Sequence, residues 1–415
     1  MRIQYLLHNA YGGGGTIRTV INQANALCDE HDVEIASVYR TSRETVFAID
    51  PRVRLVTLTQ LKETGSYRTD PAGKNSRLAN KTRRFRNMLP HRHDVRYRRW
   101  DPQVDLTIVR YLRSIPDGVL VTTRPALNLL SAWFAPRRLI RVAQEHMNLE
   151  SHKPKLRAVL LRAYPRLDAL AVLTEHDRVT YRAALGESDV RVVRVPNGTP
   201  PWPLPPAKLE NKVLVAAGRL ARQKGFDLLI EAFATVAARH PDWQLRIFGW
   251  GKLRDKLAAQ IEELDLTDQV RLSGPTRQLN KELEAASGYV LSSRFEGLPM
   301  VLLESSAAGV PAVAFDCPTG PREIIDHGRT GLLVPPEDVA ALADGMLRLI
   351  ENPAERRAMG AAARADSRYS IGTVRNDWVR LFTELAAARR GSPPAAPLGP
   401  GKQRSGHDHH DRQYR

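Results

Sequence analysis

Residues 292–315 read S-S-R-F-E-G-L-P-M-V-L-L-E-S-S-A-A-G-V-P-A-V-A-F. The apolar run Ser287 to Ser292 before it suits a buried strand, and Pro299 suits the first position of a helix, where a missing N–H costs nothing. Gly309-Val310-Pro311 then supplies a glycine-then-proline ending. Between Pro299 and Phe315 the only charged residue is Glu304, and a carboxylate on so apolar a helix needs a partner. Glu296 stands eight residues earlier, beyond the three- or four-residue spacing of neighbours on one helix, so one carboxylate belongs to the loop and the other to the helix. Gly297 between them lets a ligand approach the backbone, and the free N–H groups of the helix start point the same way. That is an anion site flanked by two hydroxyl acceptors, as a phosphorylated sugar requires. A structural, salt-bridged helix is the plain alternative.

The residues just upstream repeat one pattern. A strand over Lys212 to Ala217 leads into Gly218-Arg219-Leu220-Ala221-Arg222-Gln223-Lys224-Gly225 and a helix from Phe226 to about Arg239. Arg219 and Lys224 flank that loop, where a guanidinium and an ammonium suit the two phosphates of a diphosphate; a solvated basic loop is the alternative. Trp243 to Phe248 forms the next strand, and Gly249 and Gly251 after it allow close approach of a ligand. Downstream, a strand over Gly331 to Val334 and helices near 338–351, 353–366 and 371–388 complete the pattern.

The first half has the same grammar. A strand over Arg2 to His8 meets Gly12-Gly13-Gly14-Gly15 and a helix with Ile17, Val20, Ile21, Ala24 and Leu27 inward. The loop lacks the third glycine of a dinucleotide fingerprint and the Gly-Lys-Ser/Thr of a Walker loop, so it reads either as an anion cradle or as turn geometry. Further strand signals at Val33 to Val38, Val53 to Leu58, Gly118 to Thr122, Leu139 to Gln144, Leu167 to Leu173 and Val190 to Val195 alternate with helix-length segments, which specifies a parallel sheet wrapped by helices. His146 follows the strand ending at Gln144, where such sheets place ligand-binding residues, though a lone histidine is as readily structural. The proline-rich run after Pro196-Asn197-Gly198 marks a domain boundary. The expected division is 1–198, a linker over 199–210, a second domain over 211–369, a helix over 370–390 returning to the first domain, and a disordered tail over 391–415.

At 415 residues and 42% hydrophobic the chain supports two domains with real cores. It has no membrane-length apolar run and no cleavable leader pattern, and Cys28 and Cys317 are too far apart in sequence for a zinc motif. A soluble, cytoplasmic protein is the expectation, without metal or cofactor. The net charge of +17 points to phosphate-rich partners. Much of it sits in an insertion over 65–99, where Arg77, Lys81, Arg83, Arg84 and Arg86 accompany Leu78, Phe85 and Leu89 at near-helical spacing. That segment suits an anionic membrane surface; few stacking aromatics interleave it, so no specific nucleic-acid partner is expected, and a solvated loop is the alternative. The His407-Asp408-His409-His410-Asp411 cluster in the tail reads as adventitious for metal.

The loop Gly218 to Gly225, the Phe248-Gly249-Trp250-Gly251 turn, and Glu296 with Glu304 together resemble family 4 retaining glycosyltransferases of the GT-B fold, with its Glu-x7-Glu motif. The resemblance spans roughly residues 1–388. It implies an α/β architecture of two facing Rossmann-like domains with a cleft between them. It implies that Arg219 and Lys224 neutralise a leaving diphosphate, Glu304 takes ribose hydroxyls, and Glu296 with Gly297 and Leu298 meets the donor sugar and phosphate. By the same resemblance Gly13, Gly14 and Gly15 close over the phosphates, Gly218 and Gly249 border the donor, and His146 contacts its sugar. The implied reaction moves a hexosyl unit from a nucleotide-diphosphate sugar, most readily a UDP-sugar, to a glycan, lipid-linked or polymer acceptor. The chain has no Asp-x-Asp triplet, so metal-independent transfer is expected. The alternatives are an epimerase or phosphorylase on the same fold, or a non-catalytic membrane- or nucleic-acid-binding module.

Overall fold

The structure, a computed structural model, describes residues 1–61, 67–68, 94 and 102–391. The strands are β1 (Arg2–Asn9), β2 (Asp32–Arg40), β3 (Arg54–Leu61), β4 (Tyr67–Arg68), β5 (Val119–Thr122), β6 (Ile140–Gln144), β7 (Ala169–Val172) and β8 (Arg191–Arg194), then β9 (Val213–Ala217), β10 (Gln244–Phe248), β11 (Val270–Gly274), β12 (Gly288–Leu291), β13 (Ala312–Phe315) and β14 (Gly331–Val334). Among the described residues they form two sheets, in the orders β4-β3-β2-β1-β5-β6-β7-β8 and β11-β10-β9-β12-β13-β14. All pairings are parallel except β3 with β4. Strands covered on both faces have no polar side to show, which is why β5, β7, β9, β12 and β13 are apolar runs buried throughout.

In each sheet the chain order reverses beside one strand, β1 in the first and β9 in the second. Open α/β sheets bind ligands at such reversals, outside the carboxyl ends of the strands. The glycine loop follows β1, and the Gly218 to Gly225 loop follows β9. The helix Met300–Ala308 starts after Pro299 and ends at Gly309, whose φ of 75° is the left-handed conformation that stops a helix without strain. Strand and helix ends elsewhere differ from the sequence expectations by one to three residues, most at the ends of β3 at Leu61 and of the last helix at Gly391.

Two apolar layers sandwich each sheet. The last helix, Ile371–Gly391, contributes Val374, Trp378, Leu381, Phe382 and Leu385 to the layer over β1, β5 and β6, so the C-terminal end of the described chain is part of the first core. The chain thus crosses between the two halves twice. The crossings run side by side: Thr199 donates its N–H to the Tyr369 carbonyl at 2.9 Å, and Ile371 donates to the Thr199 carbonyl at 2.8 Å. The basic segment 65–99 lies outside the described residues apart from 67–68 and 94, as does the tail from 392 with its histidine cluster. Among the described residues no helix is long and apolar enough to cross a membrane. Cys28 and Cys317 are both free and buried.

Candidate active site

A cavity of about 880 Å³ opens between the carboxyl ends of the two sheets. From the first half it is lined by Gly13, Gly14, Gly15, Arg18 and Phe47, and from the second by Gly218, Arg219, Gly249, Trp250, Met300 and Glu304. Seven residues singled out from sequence therefore share one space: Gly13, Gly14, Gly15, Gly218, Arg219, Gly249 and Glu304. The linker residues Thr199 to Pro203 form part of its wall.

The loops that build it touch backbone to backbone. A side chain at Gly249 would place its Cβ 1.8 Å from the Gly218 carbonyl oxygen, and one at Gly251 would sit 2.1 Å from that of Leu220. Only glycines let the β9 and β10 loops stack so closely at the cavity edge. Arg219 projects from this stack with, among the described residues, a single long side-chain contact, 3.4 Å to Gln223, which leaves its guanidinium available to an anion.

Lys224, Glu296, Gly297, Leu298 and His146 do not line that cavity; they form an adjoining group. Lys224 donates to Glu296 Oε1 at 2.6 Å, and Ser293 donates to the same oxygen at 2.6 Å. Two residues given separate donor contacts by the resemblance are thus paired with each other. The loop carrying Glu296 is tied at both ends. Its N–H donates to the Pro318 carbonyl at 2.8 Å, while Arg294 forks onto Asp227 at 3.0 and 2.8 Å and reaches Glu337 at 2.8 Å. Sequence reading did not single out Arg294, whose partners lie far along the chain. Leu298 is buried, and its carbonyl accepts from Asn197 of the first half at 2.9 Å. A Cβ at Gly297 would lie 2.7 Å from the His146 carbonyl oxygen, so this glycine is where the two halves meet backbone to backbone.

His146 follows a polar cluster, centred on Glu145, that the sequence did not disclose. Glu145, buried beside it, accepts from Asn128 at 3.1 Å and from the Tyr164 hydroxyl, with His152 Nε2 at 3.5 Å. The Nε2 of His146 is shut from solvent and has no protein hydrogen-bond partner among the described residues. Burial lowers its pKa to about 4, with Glu145 opposing and Arg124 adding to the shift. The ring is therefore neutral at ordinary pH and presents a nitrogen with an unused hydrogen bond.

Glu304 has found its partner in the other half. Arg18 Nη1, on the helix Gly15–Leu27, stands 2.5 Å from Glu304 Oε1, and the carboxylate side chain is 5% exposed. Burial raises the Glu304 pKa to about 7, against the pull of Arg18. Arg18 was missed because its helical pattern reads as an exposed residue between inward Ile17 and Val20; the apolar surroundings of Glu304 were the signal that a cation had to come from somewhere.

Comparison with known proteins agrees with this layout. The Staphylococcus aureus protein TarM, solved in complex with fondaparinux, alpha-GlcNAc-glycerol and UDP, superposes with a TM-score of 0.74 at 18% identity, covering 92% of this chain and 99% of that one. The fold is GT-B. Within this GT-B chain, residues 205–366 match the family model of glycosyl transferases group 1. An exopolysaccharide phosphotransferase of Streptomyces coelicolor is 39% identical over 395 residues, 94% of this chain; the chain spans 41% of that relative's length. An uncharacterized glycosyltransferase of Haemophilus influenzae is 26% identical, with 91% of this chain and 98% of the relative covered.

Proposed function

We propose that this protein is a retaining, metal-independent glycosyltransferase of family 4 type, carrying a hexosyl unit from a UDP-sugar to a glycan, lipid-linked or polymer acceptor. The observation that carries the reading is the cavity that brings a glycine loop, an available guanidinium and a buried carboxylate together at the switch points of two sheets. Glu304 takes the ribose hydroxyls. Arg219 and Lys224 stabilise charge on the departing diphosphate, an effect worth about 3–4 kcal/mol for one well-placed donor. Glu296, held by Lys224 and Ser293, and His146, with its unused Nε2, meet the donor sugar. In the transfer the bond from the anomeric carbon to the phosphate oxygen breaks with its electron pair on the phosphate. The acceptor hydroxyl attacks from the same face, and its proton passes to the leaving phosphate oxygen. UDP in the TarM complex and the polysaccharide named for the Streptomyces relative support this choice of donor and acceptor class.

Thermal unfolding of the wild type and of Glu304→Ala with excess UDP, GDP or ADP tests the site. Ligand at ~100 times its dissociation constant stabilises by about 2.7 kcal/mol, so UDP is expected to raise the wild-type midpoint and not that of the variant. No response to any nucleotide would remove the transferase reading. Peripheral attachment to an anionic membrane through 65–99 belongs to the same proposal, and equal binding to neutral and anionic liposomes would sink that part.

A further inference from the structure

The Arg18–Glu304 pair occupies the atoms that the proposed function needs. Glu304 is nearly enclosed, and a buried carboxylate requires either a cation or hydrogen-bond donors. The requirement is met by Arg18, from the opposite half, at 2.5 Å. A ribose diol meets it with two O–H donors instead, and the guanidinium and the diol compete for the same oxygen.

Arg18 is the partner free to move. Its side chain is 31% exposed against 5% for Glu304, and among the described residues Glu304 is its one side-chain ion partner. Its guanidinium carbon stands 5.5 Å from the centroid of Phe47, which also lines the cavity and offers a flat surface to turn on. It leaves the first turn of a helix whose start, Gly14, has no side-chain cap, so the free N–H groups of that helix face the same space. Arg219 lines the cavity from the other half. An anion entering there meets a helix start and Arg219, and a released guanidinium binds phosphate in a fork.

Resting on the donor reading above, we infer that Arg18 exchanges partners when the nucleotide enters: its guanidinium leaves Glu304 to the ribose hydroxyls and moves to the diphosphate. Arg18 is thus a donor-binding residue, standing at Glu304 where the ribose hydroxyls bind. Binding replaces an ion pair between the two halves with a ligand held by both.

The test is calorimetric titration of the wild type with UDP, GDP and ADP to select the nucleotide, followed by Arg18→Ala, Glu304→Gln and the double variant. Arg18→Gln, which removes the charge at similar length, serves as a second form should Arg18→Ala not fold. Partner exchange predicts that losing Arg18 in the Glu304→Gln background lowers affinity at least tenfold. It also predicts a larger loss there than in the wild-type background, where removing Arg18 frees Glu304 from a contact the ligand otherwise has to break. A guanidinium that only supports Glu304 gives no further loss in that background, and this result overturns the inference while the donor reading stands. Failure of all three nucleotides to bind the wild type overturns both.

Discussion

Glu304 shows how a buried carboxyl in a cavity wall is kept at some cost to stability. Its carboxyl is raised from 4.5 to about 7, burial being the larger cause and Arg18 opposing. Between those values the unfolded chain has released a proton that the folded protein still holds, so stability falls as pH rises from about 4.5 to about 7 and stays lower above. A tenfold change in proton affinity corresponds to about 1.4 kcal/mol, and the value of about 7 already includes the pull of Arg18. Glu304→Gln, permanently neutral, is expected to gain on wild type by up to about 3 kcal/mol between pH 4.5 and pH 8, by the same conversion; a pH-independent difference would refute the titration. His146 titrates with the opposite pH sense: with its pKa lowered to about 4, stability is lost as pH falls from 6.5 towards 4. His146→Gln should therefore flatten the acid limb of the stability profile in denaturant titrations. The identity of both residues was legible in the sequence, one from its apolar helix and one from its place after a strand. Their surroundings were not, because Arg18, the partner of Glu304, lies in the other half, and Asn128, Tyr164 and His152 reach Glu145, beside His146, only through the fold.

At the scale of elements, the site depends on loops that share no side chains at their closest points. Gly249→Ala would drive a methyl to within 1.8 Å of the Gly218 carbonyl oxygen, an approach that only backbone movement relieves. It is expected to destabilise by more than about 2 kcal/mol and to weaken nucleotide binding together with stability, as denaturant midpoints and titration would show. Gly297→Ala meets the His146 carbonyl at 2.7 Å, a milder clash, and should affect binding more than folding because the contact lies between the halves. The strand, loop and helix units around these glycines were readable because parallel strands are apolar throughout and the glycines punctuate them. The pairing of Lys224 with Glu296 was not readable, since each residue alone suits a ligand as well as it suits the other.

For the whole molecule, the two-sheet architecture followed from alternation of strand and helix signals, while the mutual placement of the halves came only from the structure. Trp378, fully buried, belongs to a helix far along the chain yet fills the first core. Trp378→Ala should cost about 3–5 kcal/mol, seen as loss of the first unit's unfolding transition while the second persists. Polar contacts tie the halves across the cleft: Arg194 with Glu323 at 3.3 Å, Asn197 with Leu298, and Arg18 with Glu304. The covalent crossings at Thr199 and Ser370 are bridged to each other. Two bodies tethered at neighbouring points have already given up much of the relative freedom that free partners forfeit on docking, an estimated 4–15 kcal/mol.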